Sequence, residues 1–240
     1  TIADDAEISI EIDPNDLGED RFDAMADFGL TRASVGVQDF DPRVQKAINR
    51  IQTFEQTQHV IDQVRLRGVH SVNVDVLYGL PYQTLASIEA TIGQVLSLQP
   101  DRTALFGYAH VPWMKKHQQM IPDAALPDVS ARFAQSQLAA SLLDSGGLHP
   151  VGFDHFARAS DSLAIAERTG KLRRNFQGYT DDRADLLIGL GASAIGQLPQ
   201  GYVQNITPTG EYQKTVLAGG GATARGFALT PADRLHGFAI

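Results

Sequence analysis

Three strand-like runs in this chain each place a polar side chain near their C-terminal ends: Ile8-Ser9-Ile10-Glu11-Ile12, Ser34-Val35-Gly36-Val37-Gln38 and Val72-Asn73-Val74-Asp75-Val76. Apolar residues alternate with polar ones at period two, whereas a parallel strand covered on both faces reads as a near-continuous apolar run. One face of these strands is therefore expected to pack on helices and the other to meet something polar. Glu11, Gln38 and Asp75 fall at matching positions, and strand-helix barrels build their pockets at the C-terminal strand ends. Glu11 and Asp75 could be an acid-base pair of the glycosidase kind, or structural acids bonded to neighbouring loops. Gln38 favours binding over hydrolysis, because an amide donates and accepts hydrogen bonds but does not usefully transfer a proton. Arg50 ends the segment Gln45-Lys46-Ala47-Ile48-Asn49-Arg50. It reads either as a solvated cation favoured at a helix C-terminus or as a fork for a ligand carboxylate.

Other patterns are weaker. Gly189-Leu190-Gly191-Ala192-Ser193-Ala194 loosely fits the dinucleotide fingerprint, but it comes late in the chain and runs on into Ile195-Gly196-Gln197 rather than opening a first strand-helix unit. Its small residues would still let backbone approach a ligand. The seven histidines lack the spacing of a zinc helix, and Pro112 separates His110 from His117. His110 and His155 read as pocket-lining or hydrogen-bonded residues, and Trp113 as packing. Gly219-Gly220-Gly221 reads as a flexible connection. The absence of cysteine excludes disulfides, thiolate nucleophiles and any cysteine-held zinc or iron-sulfur centre supplied by these residues.

The elements that would position the polar residues follow from the alternation of strand and helix between Ala6 and about Ala109. Helices are expected after Asp13-Pro14 with an apolar face of Phe22, Met25, Ala26 and Phe28, from Asp41 to Ile48 with Pro42 in the first turn, from Phe54 to Arg67, and from Leu85 to Leu98. A fourth strand is expected from Thr103 to Tyr108. Beyond His110 prolines punctuate the chain, a helix spans Val129 to Leu143, and a mixed appendage follows. It has strand candidates at 150–156, 176–179, 192–197 and 202–205 and a helix from Asp161 to Thr169. The expected organisation is strand-helix units over 1–128, extended by 129–240 in the same catalytic domain. A hydrophobic fraction of 43% over 240 residues suffices for a full core. The 28 acidic residues against 20 basic ones argue against a nucleic-acid partner. No apolar stretch approaches about 18 residues, and no signal-like or lipidation motif is present, so the chain is expected to be cytoplasmic and without a membrane partner.

At the level of whole segments the chain resembles the oxygen-independent coproporphyrinogen III oxidase family, radical SAM enzymes of heme synthesis. The segments are AEISIEIDP (6–14), GVQDF (36–40) with Ile48-Asn49-Arg50, NVDVLYGLP (73–81), Tyr108-Ala109-His110, DHFAR (154–158), RNFQGYT (174–180) and GLGASAI (189–195). The resemblance implies an α/β fold, a partial barrel of six βα units with a small mixed appendage. It implies two S-adenosylmethionine molecules and a four-iron four-sulfur cluster, with Glu11, Gln38, Arg50, Asp75, Ala109 and Ile195 contacting the S-adenosylmethionine. The reaction it implies is oxidative decarboxylation of two propionates of coproporphyrinogen III to vinyl groups. An electron donor serves the cluster, a terminal acceptor takes the electrons, and the complete protein is a monomer. Arg158, Arg173 and Arg174 are candidates for the porphyrinogen carboxylates. The family's CxxxCxxC motif is absent here, so the cluster is expected to hang on cysteines outside this chain, which looks truncated at both ends and inactive alone. The first strand would then be an open edge. A heme-binding chaperone of the same superfamily is the alternative.

Overall fold

The alternating runs form four parallel strands, β1 (Ser9–Ile12), β2 (Arg32–Gln38), β3 (Ser71–Tyr78) and β4 (Arg102–Gly107), paired in that order with β1 at the edge. This computed structural model describes residues 2–4 and 6–239. The chain divides into two compact units, 1–181 and 182–240.

In the first unit the outer face of the sheet is apolar. Val35, Val37, Val72, Val74 and Val76 are buried there with residues of the connecting helices α1 (Glu19–Asp27), α2 (Pro42–Ala47), α3 (Phe54–Leu66), α4 (Leu85–Ser97) and α5 (Val129–Ser145). Phe22, Val60, Ile61, Val64, Ile88, Ile92, Val95, Ala139 and Leu143 complete one continuous core with them. Each fully buried Val, Leu or Ile stabilises by roughly 1.5–3 kcal/mol, so this face supplies the driving force for folding. Local chemistry starts the helices where the sequence signals it. Asp41 accepts from the Arg43 and Val44 N–H groups ahead of α2, with Pro42 in the first turn, and Thr53–Gln56 and Thr84–Ser87 are reciprocal capping boxes for α3 and α4.

Beyond β4 the sheet is extended by an antiparallel pair, β5 (His149–Val151) and β6 (His155–Ala157), giving the order β1-β2-β3-β4-β6-β5. α6 (Ser162–Arg168) and a hairpin of β7 (Arg173–Asn175) and β8 (Gly178–Thr180) follow. In the second unit β9 (Ile195–Leu198), β10 (Gly201–Asn205) and β11 (Thr223–Ala228) form an antiparallel sheet of order β11-β10-β9, with helices α7 (Thr209–Leu217) and α8 (Pro231–Ala239).

Four expectations are corrected. The single strand expected at 150–156 is two, because Gly152 at φ +63° turns the chain between them. Only the second half of the run 176–179 is strand: Gly178 and Tyr179 lie in β8, whereas Phe176 and Gln177 form the β7-β8 turn, where the Asn175 side chain accepts from the N–H groups of Gln177 and Gly178. Ala192 to Ala194 precede β9 rather than join it. Phe28, expected on the packed face of α1, lies at the C-cap and is 67% exposed.

Candidate functional site

The inner face of the parallel sheet carries polar side chains on β1, β2 and β3 and at the start of β4. Register places Glu11 beside Ser34, Ser34 beside Asn73, and Asn73 beside Arg102; one inward step further, Gly36 lies beside Asp75 and Asp75 beside Ala104. At the foot of the face, Arg32 donates to Ser71 Oγ at 2.6 Å and pairs with Glu7 at 2.8 Å. Arg102 Nε donates to Asp161 Oδ1 at 2.6 Å, and its Nη2 donates to Ser162 Oγ at 2.8 Å. Burial, then the neighbouring Arg32 charge, lowers the Arg102 pKa, and Asp161 opposes both.

Above this floor lies the first group of predicted residues. Asn73 Nδ2 donates to Asp75 Oδ1 at 2.7 Å and to Ser34 Oγ at 3.0 Å, and Ser34 Oγ donates to Asp75 Oδ2 at 3.4 Å. Burial raises the Asp75 carboxyl above its ordinary value, against the hydrogen bonds of Asn73 and Ser34 and the charges of His155 and Arg50. Glu11, on the edge strand, is also raised, first by partial burial of its carboxyl and then by the Asp75 charge, while the Ser34 hydroxyl opposes. The two carboxylates thus feel each other across β2. Asn73 Oδ1 is buried without a partner among the described residues.

Gln38 and Arg50 meet over Gly36. Gln38 ends β2 at φ +67°, at a register shift in which Gly36 pairs with Asp75 and Gln38 with Val76. A Cβ on Gly36 would lie 3.0 Å from Gln38 Nε2 and 3.1 Å from Arg50 Nη2, so only glycine leaves both side chains their present places. Arg50 Nη2 donates to the Gly36 carbonyl at 3.0 Å, and Nη1 lies 3.2 Å from Asp13 Oδ2 just after β1. Arg50 Nε is buried without a partner among the described residues. The guanidinium therefore ties two strand ends together and keeps one donor in reserve.

Ala109 lies just past β4, and its carbonyl accepts from Gln118 Nε2 at 3.1 Å while Gln118 Oε1 accepts from Val111 N–H at 2.6 Å. The first unit thus brings Glu11, Gln38, Arg50 and Asp75 to the C-terminal end of the polar face, with Ala109 at the neighbouring strand end. Ile195 opens β9 in the second unit, where it lines a shallow apolar cavity with Tyr202, Val203 and Phe227.

Alongside β1 and β4, a polar cleft of about 460 Å³ is lined by Glu7, Ser9, Glu11, Arg102, His155, Gln177 and Tyr179. His155 is fixed in it: its Nδ1 lies 2.7 Å from Asp154 Oδ1, and the ring meets Phe106 and Tyr179 edge-on. Because a carboxylate only accepts, Asp154 keeps the proton on Nδ1. His110 makes longer contacts, with the Tyr108 hydroxyl at 3.4 Å and with Asp123 at 3.6 Å. Arg174 stacks over the Tyr179 ring at 5.0 Å. Ser34 and Asn73 were not singled out from the sequence, although the alternation that reveals Glu11 and Asp75 also places them on the inner face. Among the described residues no group of three or more side chains could hold a metal ion.

The family model of the radical SAM superfamily matches residues 2–95, the stretch that holds β1, β2 and β3. The chain belongs to the oxygen-independent coproporphyrinogen III oxidase family. It is 44% identical to the enzyme of that name from Thermostichus vulcanus over 97% of this chain and 72% of the relative. It is 52% identical to that of Paracoccus denitrificans over 97% of this chain and 52% of the relative. The solved structure of the Escherichia coli coproporphyrinogen III oxidase, described as a radical SAM enzyme, superposes with a TM-score of 0.92 at 41% identity, covering 98% of this chain and 54% of that one. The chain spans about half the length of most of these relatives.

Proposed function

We propose that the chain is the S-adenosylmethionine-binding part of an enzyme that oxidatively decarboxylates two propionates of coproporphyrinogen III to vinyl groups, giving protoporphyrinogen IX. The observation that supports it is the grouping of Glu11, Gln38, Arg50 and Asp75 on one polar face, in a chain of this family. Glu11 and Gln38 offer acceptors and a donor to ribose hydroxyls, Arg50 offers a guanidinium to the methionine carboxylate, and Asp75 accepts from the amino group. Ala109 and Ile195 would add backbone and apolar contact. The unpartnered Arg50 Nε and Asn73 Oδ1 fit a polar ligand at this place, since buried polar groups without partners are rare.

S-adenosylmethionine supplies the one-electron chemistry of the reaction, and the residues here hold and orient it. The cluster is different. With no cysteine, these residues do not fit a four-iron four-sulfur centre, and its ligands would come from outside this chain. An electron donor and a terminal acceptor would complete the system, in a monomer of the cytoplasm; no helix among the described residues is long and apolar enough to cross a membrane. The test is anaerobic conversion of coproporphyrinogen III by the natural full-length protein. Asp75→Ala and Arg50→Ala should each lose S-adenosylmethionine binding and turnover together. Wild-type affinity in both variants, or no vinyl product from the unaltered protein, would refute the reading.

A further inference from the structure

Gln38 is held in an uncommon conformation, and the residue that holds it lies in the core. The Asp39 N–H donates to the Val37 carbonyl at 2.8 Å, closing a three-residue turn around Gln38 at φ +67°. This is the rare, strained hand of the γ-turn, and such outliers persist only where the surroundings over-determine them. Asp39 supplies that constraint. It is fully buried. Its Oδ1 accepts from the Asp41 N–H at 2.6 Å and the Thr91 hydroxyl at 3.1 Å, and its Oδ2 accepts from Gln83 Nε2 at 2.6 Å. Its own carbonyl accepts from Gln45 Nε2 at 2.8 Å.

The anchor is itself fixed. Gln83 Oε1 accepts from the Leu80 N–H at 2.8 Å and Gln83 Nε2 donates to the Leu77 carbonyl at 2.8 Å. Gln135 joins the Gln83 carbonyl to the Gly79 N–H at 3.1 and 3.0 Å. One carboxylate therefore ties the end of β2 to the turn after β3 and to α4, and its partner Gln83 is bonded in turn to Gln135 of α5. A buried acid is a costly way to fill a core position, and burial raises the pKa of this one. Its position directly after Gln38 gives a reason for it.

We infer that Asp39 is a positioning residue that holds Gln38 in its left-handed conformation, so that the amide lies beside Arg50 over Gly36 and is preset for a ribose hydroxyl of S-adenosylmethionine. The inference rests on the proposed role of Gln38, and the experiment separates the two. S-adenosylmethionine is titrated into the anaerobically reconstituted full-length protein, with melting temperature recorded for each variant. Asp39→Asn, which sets a donor against Gln83 Nε2, should raise Kd about tenfold, and Thr91→Val, which removes one bond from Asp39, should raise it several-fold. Val95→Ala, in the apolar core, should lower the melting temperature at unchanged Kd. On a Gln38→Ala background, Asp39→Asn should add no further loss, because the two act through one contact. Wild-type Kd in Gln38→Ala would overturn the Gln38 contact itself. A weakened Gln38→Ala with wild-type Kd in Asp39→Asn, or additive losses in the double variant, would overturn the positioning role alone. Should Asp39→Asn not fold, an unchanged Kd in Thr91→Val overturns it equally.

Discussion

Arg50 donates to the Gly36 carbonyl from directly above the place where any other residue would carry a side chain. The strand end, the guanidinium and the Gln38 amide are thus packed around an absent Cβ. The conformational freedom of glycine has no part in this. Close approach alone requires it.

Gly36→Ala should displace Gln38 and Arg50 by a few tenths of an ångström, since both contacts would fall near 3 Å. Flexible side-chain ends absorb this cheaply, so stability should change by less than about 1 kcal/mol. S-adenosylmethionine affinity, read by calorimetry, should drop about tenfold. An unchanged affinity would show that the ligand does not use this pair.

Gln45→Leu should cost about 3 kcal/mol in urea unfolding. Gln45 serves the Asp39 and Gln52 carbonyls at 2.8 and 2.6 Å and accepts from the Gln52 N–H at 3.1 Å, all buried. Leucine would leave three backbone groups without partners, each loss being worth about 1–3 kcal/mol before relaxation. A cost below that of a surface substitution would mean that water replaces the amide.

Asp161→Ala should destabilise by about 3–5 kcal/mol, because it removes the partner of a buried cation. Arg102 loses its 2.6 Å bond, Arg32 loses a carboxylate at 3.9 Å, and α6 loses the cap on the Leu163 N–H. Arg102→Met with Asp161→Leu should recover much of the loss. Chemical denaturation of the three proteins decides it.

The raised carboxyl of Asp75 makes a signed prediction about pH. A group that holds its proton more tightly when folded favours the native state fully below its unfolded value, 3.8 for Asp75. That contribution is lost as pH rises through the raised folded value. The melting temperature of Asp75→Asn minus that of the unaltered protein should therefore be smallest in acid and grow as pH rises above 3.8. A difference that shrinks with rising pH would reverse the assignment.

The strands and helices up to β4 were legible because a single covered face writes period two into β1, β2 and β3, and capping residues such as Asp41 and Thr53 mark where helices begin. The β5-β6 and β7-β8 hairpins were less so. Three-residue strands are too short to show a period, and Gly152 and Asn175 act through conformation rather than hydropathy. α7, β11 and α8 went unread for a related reason: β11 is exposed along its whole length and so carries no buried face to betray it. Within the candidate site, the same alternation exposes Glu11 and Asp75, but nothing local distinguishes Asp39, whose partners Gln83, Thr91 and Gln45 lie up to 52 residues away.

The sheet has one greasy side and one wet side, and this bears on the order in which it assembles. The valines of β2 and β3 can collapse onto α3 and α4 early, since desolvating them is favourable from the outset. Asn73 and Asp75, which the fold leaves partly exposed, gain little from collapse and keep part of their hydration until something better replaces it. Ligand entry would then resemble the last step of folding, in which solvent leaves a surface already shaped but not yet dry.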